Sequence, residues 1–483
     1  MQKRLKRCLV LAGFLLGIYI LQTVFVLTVT NDEQPNIASN DSIILPRELN
    51  PSTANIRMAI HKYNDTNSIE PLSIVTPSRH VKVRYNFNKG WQIQTDYFEI
   101  YLYRAYYDNR ETLDTNPAVR VIGVSEFMEN RTLHCLLWFK GQRRPTRTNV
   151  ILGHIGEGVP RHGKMFREYI YSCILPTTID NTYISPEYVS IITSEFSTPT
   201  NLLEVKIPEI PKKKIDFGMC VSITYWNQDP YKLIEWLELL KLWGVGEVSV
   251  YNNSLVAASD AVFRYYSENG FVDYRSGELL MEDQGEYTLL LMMTPVLNDC
   301  MYRNMFRYRK LVITDFDELI VPRLPSMNNY HDLLREIDRE QPRDFDYKMY
   351  WFRNVYFFLD LHPNVNRPKY LITPRYLTRI TNSEYGYSIK SINDPMICIR
   401  VHNHYCWEVI SKYDNGPWTV DVDTTLGMNQ HYKRCHFDDY LQEPGSCKKM
   451  MQVTYFDDTM LRFRDPIDSI VRQTIAKLNM TLM

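Results

Sequence analysis

Apolar positions along this chain fall into three regimes. From 8 to 30 they run without a single charged residue. From about 81 to 210 they come in short runs rich in aromatic and β-branched residues, as at 97–107, 119–124, 133–139, 168–175 and 189–196, the pattern of a β-rich module. Beyond 211, short runs alternate with stretches of helical spacing. Residues 219–225 predict a strand, 227–229 a turn, and Pro230 the start of a helix. Leu233, Trp236, Leu237, Leu240 and Trp243 then recur at helical spacing, which marks Trp236 and Trp243 as core. Gly244 and Gly246 stop that helix before a strand at 247–251. Helices at about 259–269 and 294–308 precede strands at 271–274 and 311–314. The rhythm is βαβαβ, which predicts an α/β fold with parallel strands and helices on their faces.

The first regime has its own meaning. Lys3, Arg4, Lys6 and Arg7 precede it, and as a helix it would span roughly 33 Å, enough to cross a hydrocarbon core. It is longer than the apolar part of a signal peptide, and no A-x-A-like cleavage site follows. The flanking cations place the amino terminus in the cytosol. The expected organisation is a cytosolic tail at 1–7, a transmembrane signal anchor at 8–30, a polar stem at 31–80, the β-rich module at 81–210, an α/β domain at 211–465 and a tail at 466–483. The stretch 206–214 (K-I-P-E-I-P-K-K-K) marks the boundary between the two folded parts.

Cysteine usage agrees with a type II membrane topology. Cys8 lies at the membrane edge, and eight further cysteines follow: Cys135, Cys173, Cys220, Cys300, Cys398, Cys406, Cys435 and Cys447. An even number in an oxidising compartment predicts up to four disulfides, with the pairing open. No C-x-x-C pair is present, which argues against a zinc ribbon. Sequons at Asn40, Asn64, Asn130, Asn252 and Asn479 also fit a lumenal location. The 55 basic and 56 acidic side chains leave a net charge of −1, which argues against a nucleic-acid partner.

The chemistry concentrates between Lys310 and Pro322, K-L-V-I-T-D-F-D-E-L-I-V-P. Asp315, Asp317 and Glu318 stand at the carboxyl end of a predicted buried strand, where open α/β sheets bind ligands. Three acids in four residues are costly to bury without a positive partner. A divalent cation bridging them to a phosphate-bearing substrate explains them economically. Two other D-x-D copies compete. The copy at 344–346 follows a polar turn and reads as a solvated loop. Asp421-Val422-Asp423-Thr424-Thr425 matches D-x-D-x-T, the nucleophile motif of haloacid-dehalogenase-type phosphatases, and Asp438-Asp439 and Asp457-Asp458 follow it. That family usually shows the motif early in its domain.

A set of segments in order carries a second resemblance. C-V-S-I-T-Y-W (220–226), I-E-W-L-E-L-L-K-L-W-G (234–244), V-S-V-Y-N-N-S (248–254), N-D-C-M-Y-R (298–303), D-F-D-E-L-I-V-P (315–322) and Gln430-His431-Tyr432-Lys433-Arg434 resemble a family 92 glycosyltransferase domain. A-Y-Y-D-N-R (105–110) and V-R-V-I-G-V (119–124) resemble the region preceding it. Phe316 and Leu319 depart conservatively from the family's acidic motif, and Lys433 retains its basic residue after His-Tyr. The resemblance implies a GT-A-like nucleotide-sugar-binding domain in a Golgi-type membrane enzyme. Such an enzyme would transfer a hexose, with galactose from UDP-galactose expected first, to a glycan or glycoprotein acceptor with inversion.

The resemblance also implies roles. Asp317 would ligate a divalent metal directly, and Asp315 would contact the donor ribose or the metal through water. An added imidazole would favour Mn²⁺ over Mg²⁺. His402 and His404 alternate on a strand-like run at 398–406 and so share a face, and His431 lies in the H-Y-K element; His402 or His431 is the expected ligand. Lys390 is placed near the diphosphate. Inversion needs a general base, for which Glu384, Asp394 and Glu318 are candidates. Trp407 and Trp418 flank the late histidines and could stack on sugar rings. Two alternatives stand beside the transferase. One is a catalytically silent, lectin-like relative; the other is a lumenal phosphatase using Asp421 and Asp423.

Overall fold

The computed structural model describes residues 74–76, 79–81, 90–94 and 99–482, except 114–115, 128–130, 162, 178–182, 227, 278–285, 340–345, 367, 415 and 436–445. The predicted anchor and nearly all of the predicted stem lie outside these residues. Among the described residues no helix is long and apolar enough to cross a membrane.

The α/β region is built on a seven-stranded sheet. Its order is Val272–Ser276, Val245–Leu255, Ile215–Trp226, Tyr308–Ile313, Lys390–Asn393, Met349–Phe352 and Thr419–Asp421. The first four strands are parallel, as the βαβ rhythm requires. The strand Lys390–Asn393 runs antiparallel to both neighbours, so the sheet is mixed rather than wholly parallel. Parallel neighbours need a crossover element, and among the described residues no helix lies between Phe358 and Lys390.

Alternation along the central strand, interrupted by an irregularity between Cys220 and Ile223, divides two cores. Phe217, Met219 and Val221 face the helices Pro230–Leu242 and Ala257–Glu268. Cys220 and Ile223 face the helix Glu286–Asn304. The first helix begins where the Asp229 carboxylate accepts the Tyr231 N–H and Pro230 fills the first turn. It ends at Gly244, whose φ of 92° suits only glycine. Trp236 and Trp243 are 2% and 0% exposed, as their spacing demands. The third helix begins eight residues earlier than its sequence pattern suggests and holds Pro295 in its interior.

The preceding region is an eight-stranded sheet. Its order is Leu203–Lys206, Tyr188–Ile192, His134–Trp138, Thr146–Arg161, Lys164–Ile174, Ala118–Glu126, Ile100–Asp108 and Gln92–Gln94. Leu203–Lys206 also pairs with Ile100–Asp108, which closes the sheet on itself. One face of this sheet packs on the helix Glu286–Asn304. Tyr106, Ile122 and Ile170 share a single hydrophobic cluster with Leu291, Val296, Leu311 and Ile313. Polar groups cross the same contact: Tyr106 and Tyr251 each donate to the Asp299 carboxylate at 2.6 Å.

Among the described residues, all eight expected cysteines pair: Cys135–Cys173, Cys220–Cys300, Cys398–Cys406 and Cys435–Cys447. Cys220–Cys300 ties the central strand to the third helix.

Candidate active site

The acidic motif sits where the strand Tyr308–Ile313 leaves the sheet. The chain turns there, with the Glu318 N–H donating to the Asp315 carbonyl at 3.1 Å. Glu318–Pro322 then enters a three-stranded sheet with Gly427–Lys433 and Asn354–Phe358. The antiparallel register sets His431 directly across from Glu318. In the large sheet, Ser391 pairs with Ile313, so Lys390 reaches the residues that follow that strand. Two unrelated registers thus deliver one histidine and one lysine to the same three acids.

The contacts form a chain of alternating charge. Lys390 Nζ lies 2.6 Å from Asp315 and 3.0 Å from Glu318, and it also donates to the Asn403 carbonyl at 2.8 Å. His431 lies between the other Glu318 oxygen, 2.9 Å from Nδ1, and Asp317, 3.1 Å from Nε2. Ser222 on the central strand donates to the remaining Asp315 oxygen at 2.7 Å. The Glu318 and Lys390 side chains are 3% and 1% exposed, whereas those of Asp315 and Asp317 are 27% and 34% exposed.

Titration follows from this arrangement. Burial opposes ionisation of Glu318, yet Lys390 and His431 more than offset it and hold the carboxyl at about 2. Burial likewise works against Asp317, but His431, with Lys232 and Lys433 behind it, keeps it well below the usual carboxylate range. Burial would lower His431, and the two acids instead raise it to about 9. Lys390 is raised in the same way by Asp315 and Glu318 against its burial. Glu318 and Asp317, both held ionised, therefore face the firmly protonated Lys390 and His431.

The other expected site residues are distributed unequally. His402 and His404 do not alternate on a strand. Residues Cys398–Val401 and Cys406–Val409 form a hairpin closed by the Cys398–Cys406 disulfide, and both histidines lie in its turn. Their rings still neighbour each other at 5.3 Å. Burial and then Lys390 lower His402 to about 4 and His404 to about 3, so both are neutral. Asp394 follows the far end of the strand that starts at Lys390. Its carboxylate accepts from the Met396 N–H at 2.9 Å and pairs with Lys348 at 3.6 Å, contacts that lie outside the cluster. Glu384 is exposed in the loop leading to Lys390, and the Arg353 side chain donates to the neighbouring Ser383 carbonyl. Trp418 packs edge-on against Tyr413 near the sheet's far edge, where the Lys348 N–H bonds to its carbonyl. The phosphatase pair fares no better. Asp421 is exposed on an edge strand, and Asp423 closes its own turn through the Thr425 N–H and hydroxyl, both at 2.8 Å.

Three contributors escape the sequence reading: Ser222, Lys232 and the backbone support from Trp236. The Trp236 indole donates to the Glu318 carbonyl at 2.9 Å, and Lys232 donates to the Tyr432 carbonyl at 3.0 Å. Ser222 lies where the register of the central strand is irregular, between Cys220 and Ile223, and no sequence signal singles it out. A narrow cleft with about 10 Å³ of free volume lies beside Asp317, lined by Lys232, Trp236, Phe316, Thr373 and Tyr432 among others.

The fit to a divalent metal is one-sided. Among the described residues, no three His, Cys, Asp or Glu side chains form a ready cage. Asp317 is the most exposed acid of the cluster and borders the cleft. An ion there would take Asp317 from the protein and complete its shell from phosphate oxygens and water, a common mode for hard cations at phosphate sites.

Comparison with known proteins places this geometry. The model of glycosyltransferase family 92 matches residues 215–482, starting with the first residue of the central strand and including every member of the cluster. The upstream likeness at 105–124 lies outside the matched residues. A β-1,4-galactosyltransferase, galt-1, of Caenorhabditis elegans is 26% identical over 186 residues. That alignment covers 37% of this chain and 43% of the relative, less than half of each.

Proposed function

This chain belongs to glycosyltransferase family 92, and on that premise we propose that it transfers a hexose from a nucleotide diphosphate sugar to a glycan acceptor. The observation that carries the reading is the Asp315–Lys390–Glu318–His431–Asp317 cluster at the carboxyl end of the sheet. A departing nucleoside diphosphate gathers negative charge, and preorganised cations at that point favour its departure. His431, Lys232 and Lys433 all act on Asp317, the acid at the mouth of the cleft. Lys390 holds Asp315, and Trp236 fixes the Glu318 backbone, so neither acid needs to move when substrate arrives.

Galactose from UDP-galactose is the proposed donor, in line with the name of the nematode relative. A Mn²⁺ ion bound through Asp317 would neutralise diphosphate charge. The domain is read as GT-A-like, with inversion at the anomeric carbon. Of the three base candidates, Glu318 is saturated by two cations and Asp394 is engaged elsewhere. That leaves Glu384, exposed on its loop, as the proposed base. The proposed setting is the lumenal side of the Golgi membrane behind a single-pass anchor. One observation favours the lectin-like rival: Lys390 and His431 neutralise Asp315 and Glu318 from within the chain itself.

The test is release of nucleoside diphosphate by the full-length chain from a panel of nucleotide sugars, with and without acceptor glycans. Release from UDP-galactose should require divalent metal and fall about a hundredfold or more in Asp317→Ala. Folded protein that releases nucleotide from no donor, with acceptors present, would sink the transferase and leave the glycan-binding rival.

A further inference from the structure

The hairpin Cys398–Val401 and Cys406–Val409 is half-buried and held from several sides. The Cys398–Cys406 disulfide closes it. Arg110, from the preceding β-sheet, donates to the carbonyls of Pro395 at 2.8 Å and Cys398 at 2.6 Å. Asn298 grips Val401 at both ends of its peptide, accepting its N–H at 2.9 Å and donating to its carbonyl at 2.8 Å. Tyr302 donates to the Ile399 carbonyl. The turn is tied to the charge cluster as well, because the Asn403 carbonyl accepts from Lys390 and the His404 carbonyl from Ser391 at 2.7 Å.

What this rigid turn presents is a run of rings. Tyr405 and Trp407 stack at 6.2 Å, His402 lies 5.4 Å from Trp407, and Trp351 lies 5.1 Å from Tyr405. All four are partly exposed. Within the same cluster, Trp351 Nε1, His402 Nδ1 and Asn403 Oδ1 are buried without a hydrogen-bond partner among the described residues. Such atoms are costly to leave unmet. Partly exposed ring faces offer the apolar C–H faces of a saccharide a surface to stack on.

We infer that the turn His402–Trp407 together with Trp351 forms the subsite for a sugar ring of the acceptor glycan. The inference rests on the transferase reading and adds the place of the second substrate. Charge separates the two substrates. The Asp317 end gathers His431, Lys232 and Lys433 and suits a diphosphate. The aromatic turn is tied instead to Lys390, through the Asn403 carbonyl, and its rings suit an uncharged sugar. Because the turn is already ordered, little conformational entropy is lost on binding.

The probes are methyl glycosides of galactose, N-acetylglucosamine, fucose and mannose, titrated into the full-length chain by isothermal calorimetry, with UDP as a separate titrant. At least one glycoside should bind the wild type. Trp407→Ala should weaken it about tenfold, Trp407→Phe should recover most of the affinity, and Tyr405→Ala should repeat the loss. UDP affinity and the thermal midpoint should stay as in wild type. Unchanged glycoside affinity in Trp407→Ala overturns the subsite, as does a wild type that releases UDP from a donor yet binds no glycoside. Equal losses of UDP and glycoside affinity in a folded variant also overturn it. If the wild type binds glycosides through Trp407 but never UDP, the transferase reading falls while the saccharide site stands.

Discussion

At the scale of single residues, Lys390 decides whether the acids can be buried at all. It neutralises Glu318, 2% exposed, and fixes Asp315 from a position that is itself buried. Breaking a buried ion pair from one side costs about 3–5 kcal/mol, because the partner charge stays behind. Lys390→Met should therefore lower the unfolding free energy by about that much and abolish donor turnover. Denaturant unfolding monitors the first effect. A Met variant as stable as wild type would mean that His431 and Ser222 carry the acids unaided. The sequence displayed the acids plainly, since D-F-D-E follows a strand pattern. It did not display what neutralises them. Lys390 and His431 reach the cluster through strand registers set by residues far apart in the chain, and register is not written in either segment alone.

At the scale of elements, the strand Thr146–Arg161 shows what alternation misses. Three glycines and a proline break its pattern, and Gly156 and Gly158 adopt positive φ where the register slips between Ile155 and Val159. Its partner strand, Lys164–Ile174, was legible from its aromatic residues, yet it hides a carboxyl. Glu168 is 6% exposed and faces Thr294 on the third helix, with Arg167 the nearest compensating charge. Burial raises its pKa from 4.5 to about 7. A raised folded-state pKa means that the protonated form belongs to the native state. The contribution is complete below pH 4.5 and is lost as pH rises through about 7. The shift corresponds to roughly 3 kcal/mol. Thermal unfolding measured from pH 4.5 to 8 should show a decline in this window that Glu168→Gln removes. An identical profile in the Gln variant would place the proton on another group.

At the scale of the whole molecule, the two sheets were predictable separately and their union was not. The composition change near 206–214 marks a change of architecture, but the helix Glu286–Asn304 is apolar on more than one side and serves both sheets. Nine members of its hydrophobic cluster come from the preceding sheet: Trp91, Tyr101, Tyr103, Tyr106, Ile122, Val124, Ile155, Phe166 and Ile170. A fragment starting at 211 would uncover Leu291, Met292, Val296 and Leu297, all at most 1% exposed in the intact chain. Exposing four such side chains costs about 6–12 kcal/mol, comparable to the whole stability of about 5–15 kcal/mol expected for a native domain. Asp299 would also lose the Tyr106 hydroxyl, and the hairpin at 398–409 would lose Arg110. Although the family match begins at 215, the fragment 211–483 should therefore show no cooperative thermal transition by calorimetry. Co-expression with a separate 81–210 chain should restore one. A cooperative melt by the fragment alone would show that the family domain folds without its β-sheet partner, and that Arg110 and Tyr106 adjust the site rather than sustain it.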